Sequence, residues 1–266
     1  MARLEFAKYE GLGNDFIVVD VSSPAEVGSD LAARLCDRHF GIGADGMLLV
    51  SPARSGGARA SMTVLNADGS RPEMCGNGIR CVALHLARRA DEGGVSLVVD
   101  TDAGPMLCEV ERDGGIGSVS TSLGQGLPVG KYPFQFEGTA YELTRVSMGN
   151  PHAVLFDAGL DAAAIDRMGP AVSSALPGGS NVEFAGRRGP REYDLVVWER
   201  GVGRTLACGT GAAATVVAAA LSGLSPFGEP VSVRLPGGVL EISVSRASLE
   251  VRQRGPARLV FAGAVG

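Results

Sequence analysis

Lysine is nearly missing from this chain. Only Lys8 and Lys131 are lysine among 24 basic residues, and 29 acidic residues leave a formal net charge of −5. That balance offers no bulk attraction to nucleic acid or to an anionic membrane surface, so neither is an expected partner. Histidine is scarce at three, His39, His85 and His152, and aromatic residues make up only 5%. Long apolar runs are absent. The hydrophobic stretches are short and broken by glycine or charge, which argues against a helical membrane span. The segment from Met1 to Lys8 has no apolar signal core, so a cytoplasmic protein is expected. Cysteine occurs five times, as Cys36, Cys75, Cys81, Cys108 and Cys208, with no Cys-x-x-Cys pair. An odd count without framework spacing argues against a disulfide scaffold and suits a reducing compartment. The same spacing gives little support to a zinc site built from Cys75, Cys208 and His152, and no metal is expected. Gly11-Leu12-Gly13 and Gly41-Ile42-Gly43 lack the spacing and the downstream acid of a dinucleotide site.

Glycine is abundant, at 39 residues, and 45% of the chain is hydrophobic. A folded chain of 266 residues with many turns, and more strand than long helix, follows. Its most informative feature is a repeat. Cys75-Gly76-Asn77-Gly78 and Cys208-Gly209-Thr210-Gly211 each open a small-residue apolar run that reads as helix. The two cysteines lie 133 residues apart (208 − 75), half of 266. One thiol per repeat points to two half-molecules facing a common cleft. Two thiols on one carbon are what proton removal on one face and return on the other require. That chemistry belongs to a cofactor-free racemase or epimerase.

Along the chain, strands are expected at Leu4 to Phe6, Phe16 to Val19, Met47 to Val50 and Ser61 to Leu65. Asp30 is a candidate cap for a helix through Cys36. The run from Gly76 to Ala90 reads as the strongest helix of the first half. Its apolar stripe is Ile79, Val82, Ala83 and Leu86, with Arg80, Arg88 and Arg89 placed toward solvent. Strands at Val95 to Val99 and Met106 to Val110 follow. The glycine- and proline-containing stretch from Gly124 to Tyr132 is the expected boundary region. The second half repeats the plan, and its helix after Cys208 is apolar all round, hence buried. Glu229 to Leu235, Leu240 to Val244, Leu249 to Arg252 and Leu259 to Phe261 read as closing strands.

Each Cys-Gly-x-Gly leaves unpaired backbone N–H groups at a helix start. Such donors favour thiolate and can hold a substrate carboxylate. Cys75 and Cys208 are therefore the candidate acid–base pair, while Cys36, Cys81 and Cys108 read as small buried hydrophobes. Asn14, Asn66, Asn77, Asn150 and Asn181 are each a plausible turn residue, but with Arg200 they make a set able to bind an amino-acid headgroup and a distant carboxylate. Arg200 suits the carboxylate because its fork pairs bidentately; its bland alternative is a surface ion pair with Glu199. His152 and Glu199 are candidates to orient the thiols. Asp15, His39, Asp45 and Asp68 read as loop-fixing residues.

Taken in order, these blocks resemble the diaminopimelate epimerase family, the cofactor-independent amino-acid epimerases of lysine and peptidoglycan synthesis. The likeness runs through Gly11-Leu12-Gly13-Asn14-Asp15-Phe16, Arg38 to Gly46, Asn66-Ala67-Asp68-Gly69 and Cys75 to Arg80. It continues through Met148 to Val154, Asn181-Val182-Glu183-Phe184, Trp198-Glu199-Arg200-Gly201 and Ala207 to Gly211. The resemblance implies an α/β (α+β) fold of two similar domains, each a curved, mostly antiparallel sheet around a central helix. The active site would lie in the interdomain cleft. The expected domains are residues 1–120, completed by a C-terminal strand in 255–266, and residues 121–254. The implied substrate contacts are Asn14, Asn66, Gly76, Asn77, Asn150, Asn181, Glu199, Arg200, Gly209 and Thr210, with His152 in the same pocket. No pyridoxal phosphate or other cofactor is implied. The expected reaction interconverts LL- and meso-2,6-diaminopimelate. The competing reading is a proline- or hydroxyproline-type racemase, which needs no clamp for a distal carboxylate. A binding protein for an amino acid and a cysteine hydrolase are weaker readings. The partner is a small amino acid, and a homodimer is the candidate assembly.

Overall fold

The computed structural model describes residues 3–266. The chain forms two compact units, one of residues 1–121 with 254–266, the other of residues 122–253. In the first unit the order is β1 (Leu4–Gly11), β2 (Asn14–Asp20), α1 (Ser29–Cys36), β3 (Gly46–Ser51), β4 (Ala60–Asn66), α2 (Gly76–Arg89), β5 (Gly94–Thr101), β6 (Gly104–Asp113) and the first part of β7 (Ile116–Gln125). Strands β1 to β7 neighbour one another in sequence order. The C-terminal strand β16 (Glu250–Val265) then lies next to both β7 and β1, so the sheet closes on itself. Closure removes the open edges that a sheet otherwise presents. Pairs β2–β3 and β4–β5 are parallel and the other strand pairs with a resolved register are antiparallel.

Strands β2 and β3 are apolar on both faces, as expected of strands covered on both sides. Phe16, Val18, Leu48 and Val50 point to an inner core with Ile79, Val82, Ala83 and Leu86 of α2. Ile17, Val19, Met47 and Leu49, the alternate set, point outward to Ala32 and Cys36 of α1. The apolar stripe expected for α2 is thus the stripe that faces the sheet. Helix α1 is capped by Gly28, not by Asp30, which sits in its first turn. There its carboxylate still complements the helix dipole.

The second unit holds β8 (Leu127–Phe136), β9 (Thr139–Ser147), β10 (Pro151–Phe156), α3 (Ala162–Ala175), β11 (Asn181–Gly189), β12 (Glu192–Glu199), β13 (Gly203–Thr205), α4 (Gly209–Leu221), β14 (Val231–Leu235) and β15 (Gly238–Val244). Its sheet runs β8-β9-β10-β11-β12-β14-β15, with β13 beside β12. Helix α4 is buried from Gly211 to Ala220 and packs on β9, β10, β11 and β15. Its alanines let the strands approach closely. Helix α3 covers the other face through Ile165, Met168 and Val172. The stretch from Gly124 to Tyr132 is strand for most of its length, since β7 runs to Gln125 and β8 begins at Leu127. The two closing strands expected at Leu249 to Arg252 and Leu259 to Phe261 are one continuous strand, β16. Among the described residues no helix is long and apolar enough to cross a membrane.

Candidate active site

Both repeated cysteines are helix N-caps. Cys75 has φ −137° and its sulfur accepts from the Gly78 N–H at 3.4 Å. Cys208 has φ −129° and accepts from the Gly211 N–H at 3.3 Å. A sulfur thus takes the place usually held by a Ser or Asp oxygen. The helices begin at Gly76 and Gly209, where the repeat places them.

Around Cys75, the side-chain amides form a directed chain. Asn77 donates to Asn14 Oδ1 at 3.1 Å, and Asn14 donates to Asp45 Oδ2 at 2.7 Å. Arg38 bridges Asp15 and Asp45 at 2.7 Å each, and Lys8 pairs with Asp15 at 2.7 Å. Burial raises the Asp15 carboxyl, but Arg38 and Lys8 outweigh it and bring it down to about 2. Asp15 and Asp45 therefore fix loops, as the sequence implies. Asn66, at the end of β4, donates to Ser70 Oγ at 2.9 Å, and Ser70 is held by Asp68. Arg80 departs from expectation. It is fully buried instead of facing solvent, and it donates to Gly76 O at 3.1 Å, Asn77 Oδ1 at 2.8 Å and Pro256 O at 3.2 Å. Three acceptors, one of them on a strand 176 positions away in sequence, satisfy the guanidinium where a helical pattern foresees water.

Around Cys208, His152 and Glu183 form an enclosed pair, with His152 Nδ1 2.6 Å from Glu183 Oε1 and both side chains fully buried. His152 Nε2 is 3.0 Å from Asn150 Oδ1. An amide oxygen only accepts, so Nε2 is the donor in that contact. Parallel pairing of β10 with β11 sets His152 beside Asn181, and Glu183 lies two residues along the same face. Asn181 Oδ1 accepts from the Arg200 backbone N–H at 2.9 Å, and its amide nitrogen donates to Pro151 O at 3.3 Å. Arg200 is exposed and donates to Gly178 O at 2.7 Å. A Cβ on Gly179 would stand 2.7 Å from Arg200 Cδ, so glycine there makes room for the arginine stem. The ion pair with Glu199 does not form. Glu199 instead accepts from Thr205 Oγ1 at 2.6 Å. Thr210 Oγ1 is 3.5 Å from Cys208 Sγ.

The electrostatics of Cys208 overturn one expectation. Burial pushes its thiol well up, the charges of Glu199 and Glu183 push the same way, and Thr210 and the Gly211 N–H only partly oppose them. Desolvation thus outweighs the helix start, and Cys208 is held as a thiol. Burial also raises Cys36 to about 11 and Cys108 to about 12, in keeping with inert core thiols. Among the described residues no group of three or more His, Cys, Asp or Glu could hold a metal ion.

Comparison with known proteins shows the family. The family model described as diaminopimelate epimerase matches residues 6–125 and 144–260. The chain belongs to the diaminopimelate epimerase family. A diaminopimelate epimerase of Desulforudis audaxviator is 44% identical over 279 residues, covering 98% of both chains. One of Desulfitobacterium hafniense is 42% identical over 283 residues, covering 98% of this chain and 97% of its own. Among solved structures, a phenazine biosynthesis protein of Bacillus anthracis superposes with a TM-score of 0.79 at 15% identity, covering all of both chains. A probable proline racemase of Agrobacterium radiobacter superposes with a TM-score of 0.75 at 14% identity, covering 99% of this chain and 93% of its own. Likeness at that identity establishes the shared fold. Epimerase family membership rests on the sequence matches. Two residues of this family member escaped the sequence-based candidate set, the buried Arg80 and Glu183. For Glu183 a signal existed, because it shares a strand face with Asn181.

Proposed function

We propose that this chain interconverts LL- and meso-2,6-diaminopimelate without a cofactor, with Cys75 and Cys208 as the base and acid at one α-carbon. The observation that carries the reading is the pair of cysteine N-caps, each with its sulfur on the first turn of a buried helix. In the forward sense one sulfur, as thiolate, takes the α-proton, and the other, as thiol, delivers a proton to the opposite face. Each S–H bond formed is matched by one broken, and the thiolate changes sides. Backbone N–H groups at the start of α2 and α4 would hold the α-carboxylate, which accepts charge as the carbon loses its proton. The buried, protonated state of Cys208 fits the role of acid. Asn14, Asn66, Asn77 and Asn150 are assigned to the headgroup, together with Gly76, Gly209 and Thr210. His152 and Glu199 orient the thiols, and Asn181 holds Arg200. The same reading includes a cytoplasmic location and a homodimer.

Incubation with LL-diaminopimelate in D2O tests the reaction. Deuterium should enter the α-carbon as meso isomer accumulates. Folded protein that gives neither result refutes the proposal.

Arg200 is assigned to the distal carboxylate, which a cyclic imino acid lacks. Among the described residues no carboxylate pairs with its guanidinium, so the fork is available to a ligand. Arg200→Lys keeps the charge and loses bidentate geometry, and kcat/KM for diaminopimelate should fall by the equivalent of about 1–3 kcal/mol. An unchanged kcat/KM assigns Arg200 a structural role and favours a substrate without that carboxylate.

A further inference from the structure

Arg80 poses a charge problem that its hydrogen bonds do not solve. The side chain is fully buried, and its three acceptors, Gly76 O, Asn77 Oδ1 and Pro256 O, are all neutral. Among the described residues no carboxylate forms an ion pair with it. Glu10, on neighbouring β1, pairs with Arg258 at 3.0 Å and accepts from the Gly13 N–H at 3.0 Å. Cys81, the next residue in the helix, is held protonated by burial. The guanidinium also sits on the wrong end of the helix. It folds back one turn to Gly76 and Asn77, the positive end of α2, where the dipole disfavours a cation. A buried cation without a counter-ion is strongly destabilising, and arginine does not escape by losing its proton. Three groups act on that charge, Cys81, Cys75 and Glu10. Cys81 is held protonated and Glu10 is already engaged by Arg258 and Gly13, which leaves the Cys75 sulfur on the helix cap, next to the Gly76 carbonyl that Arg80 binds.

We propose that Arg80 is a positioning residue whose buried charge makes the Cys75 thiolate its counter-ion. It thereby sets Cys75 as the base of the resting enzyme and, through Asn77 and Asn14, aims the amides beside it. The inference rests on the function proposed above for its catalytic meaning, but its content is electrostatic. The asymmetry is chemically coherent. One repeated cysteine lies one turn from a buried arginine; the other is held as a thiol by burial first and by the charges of Glu199 and Glu183 second. A thiolate–thiol pair needs one of each.

The test is alkylation of Cys75 by iodoacetamide as a function of pH, followed by peptide mapping, in a Cys208→Ser background. In Arg80→Met the midpoint of the profile should move up, so that alkylation at neutral pH falls roughly tenfold or more, since one unit is a factor of ten. A folded Arg80→Met protein with the parental profile overturns the proposal. If that variant does not fold, thermal unfolding of the unaltered protein and of Cys75→Ser decides. The ionised sulfur is favoured in the folded chain, so the advantage of cysteine over serine should grow as pH rises through the thiolate titration. A gap that does not change with pH overturns the proposal. Neither readout needs turnover. A shifted alkylation profile with a catalytically silent Cys75 would therefore sink the proposed reaction and leave this inference standing.

Discussion

Cys208→Ala should stop isomer interconversion while leaving proton exchange in one isomer. Removing a positioned acid–base group lowers rate by roughly 10²–10⁴. Net epimerisation needs both sulfurs, so the loss should lie at the upper end of that span. In the proposed reaction the remaining Cys75 can still take an α-proton and return deuterium to the same face. In D2O one isomer should therefore incorporate deuterium without changing configuration. Cys75→Ala should give the mirror result with the other isomer, and more slowly. The reason is that Cys208 is held protonated, by burial first and then by the charges of Glu199 and Glu183. It must lose that proton before it can act as base. Mass spectrometry combined with chiral separation reads both quantities in one experiment. Equal exchange in both isomers by either single variant would show that one thiol reaches both faces, or that neither is the base.

Much of this was legible in the sequence, and for a definable reason. The repeat Cys-Gly-x-Gly fixes local backbone, and local backbone is what a short motif encodes. Both helices start at the residue the repeat names, and the apolar stripe of α2 faces the core as its spacing requires. What escaped depends on residues distant in sequence. Arg80 looks like a solvent-facing charge on a helical pattern. It is buried because the carbonyl of Pro256, from the far end of the chain, arrives to accept its Nε–H. Asp30 has the composition of a cap, yet Gly28 ends the preceding loop and takes the position. Cys208 shares its motif with Cys75, and a motif carries no dielectric. Its enclosure at 7% exposure, against a half-buried Cys75, comes from strands packed around α4. Similar sentences in sequence thus produce two different thiols.

Glu183→Ala should be among the most destabilising single substitutions in the second unit. The carboxyl is fully buried against His152, and a Cβ on Gly211 would stand 3.0 Å from its Oε1 and 3.2 Å from Cys208 Sγ. Glutamate and the Cys208 sulfur thus border one small space, in which a Cβ added at position 211 would have to displace a neighbour. Truncation leaves His152 Nδ1 buried without a partner and opens a void. Breaking a buried pair from one side costs about 3–5 kcal/mol. Urea unfolding, with the slope compared between variants, measures it. Glu183→Gln separates shape from charge, since an amide can still meet Nδ1 with either of its ends. The pH dependence then follows from the carboxyl itself. Burial raises it, more than the charge and hydrogen bond of His152 lower it. A folded-state value above the unfolded one contributes stability that is fully present below the ordinary carboxylate range, near pH 4, and is lost as pH rises through the raised value. The stability of the parent relative to Glu183→Gln should therefore decline from acid toward neutral pH. A difference that instead widened with pH would mean that His152 holds Glu183 as a carboxylate. The unit would then contain a true ion pair at the back of its thiol, where the raised carboxyl calls for one proton shared between two side chains.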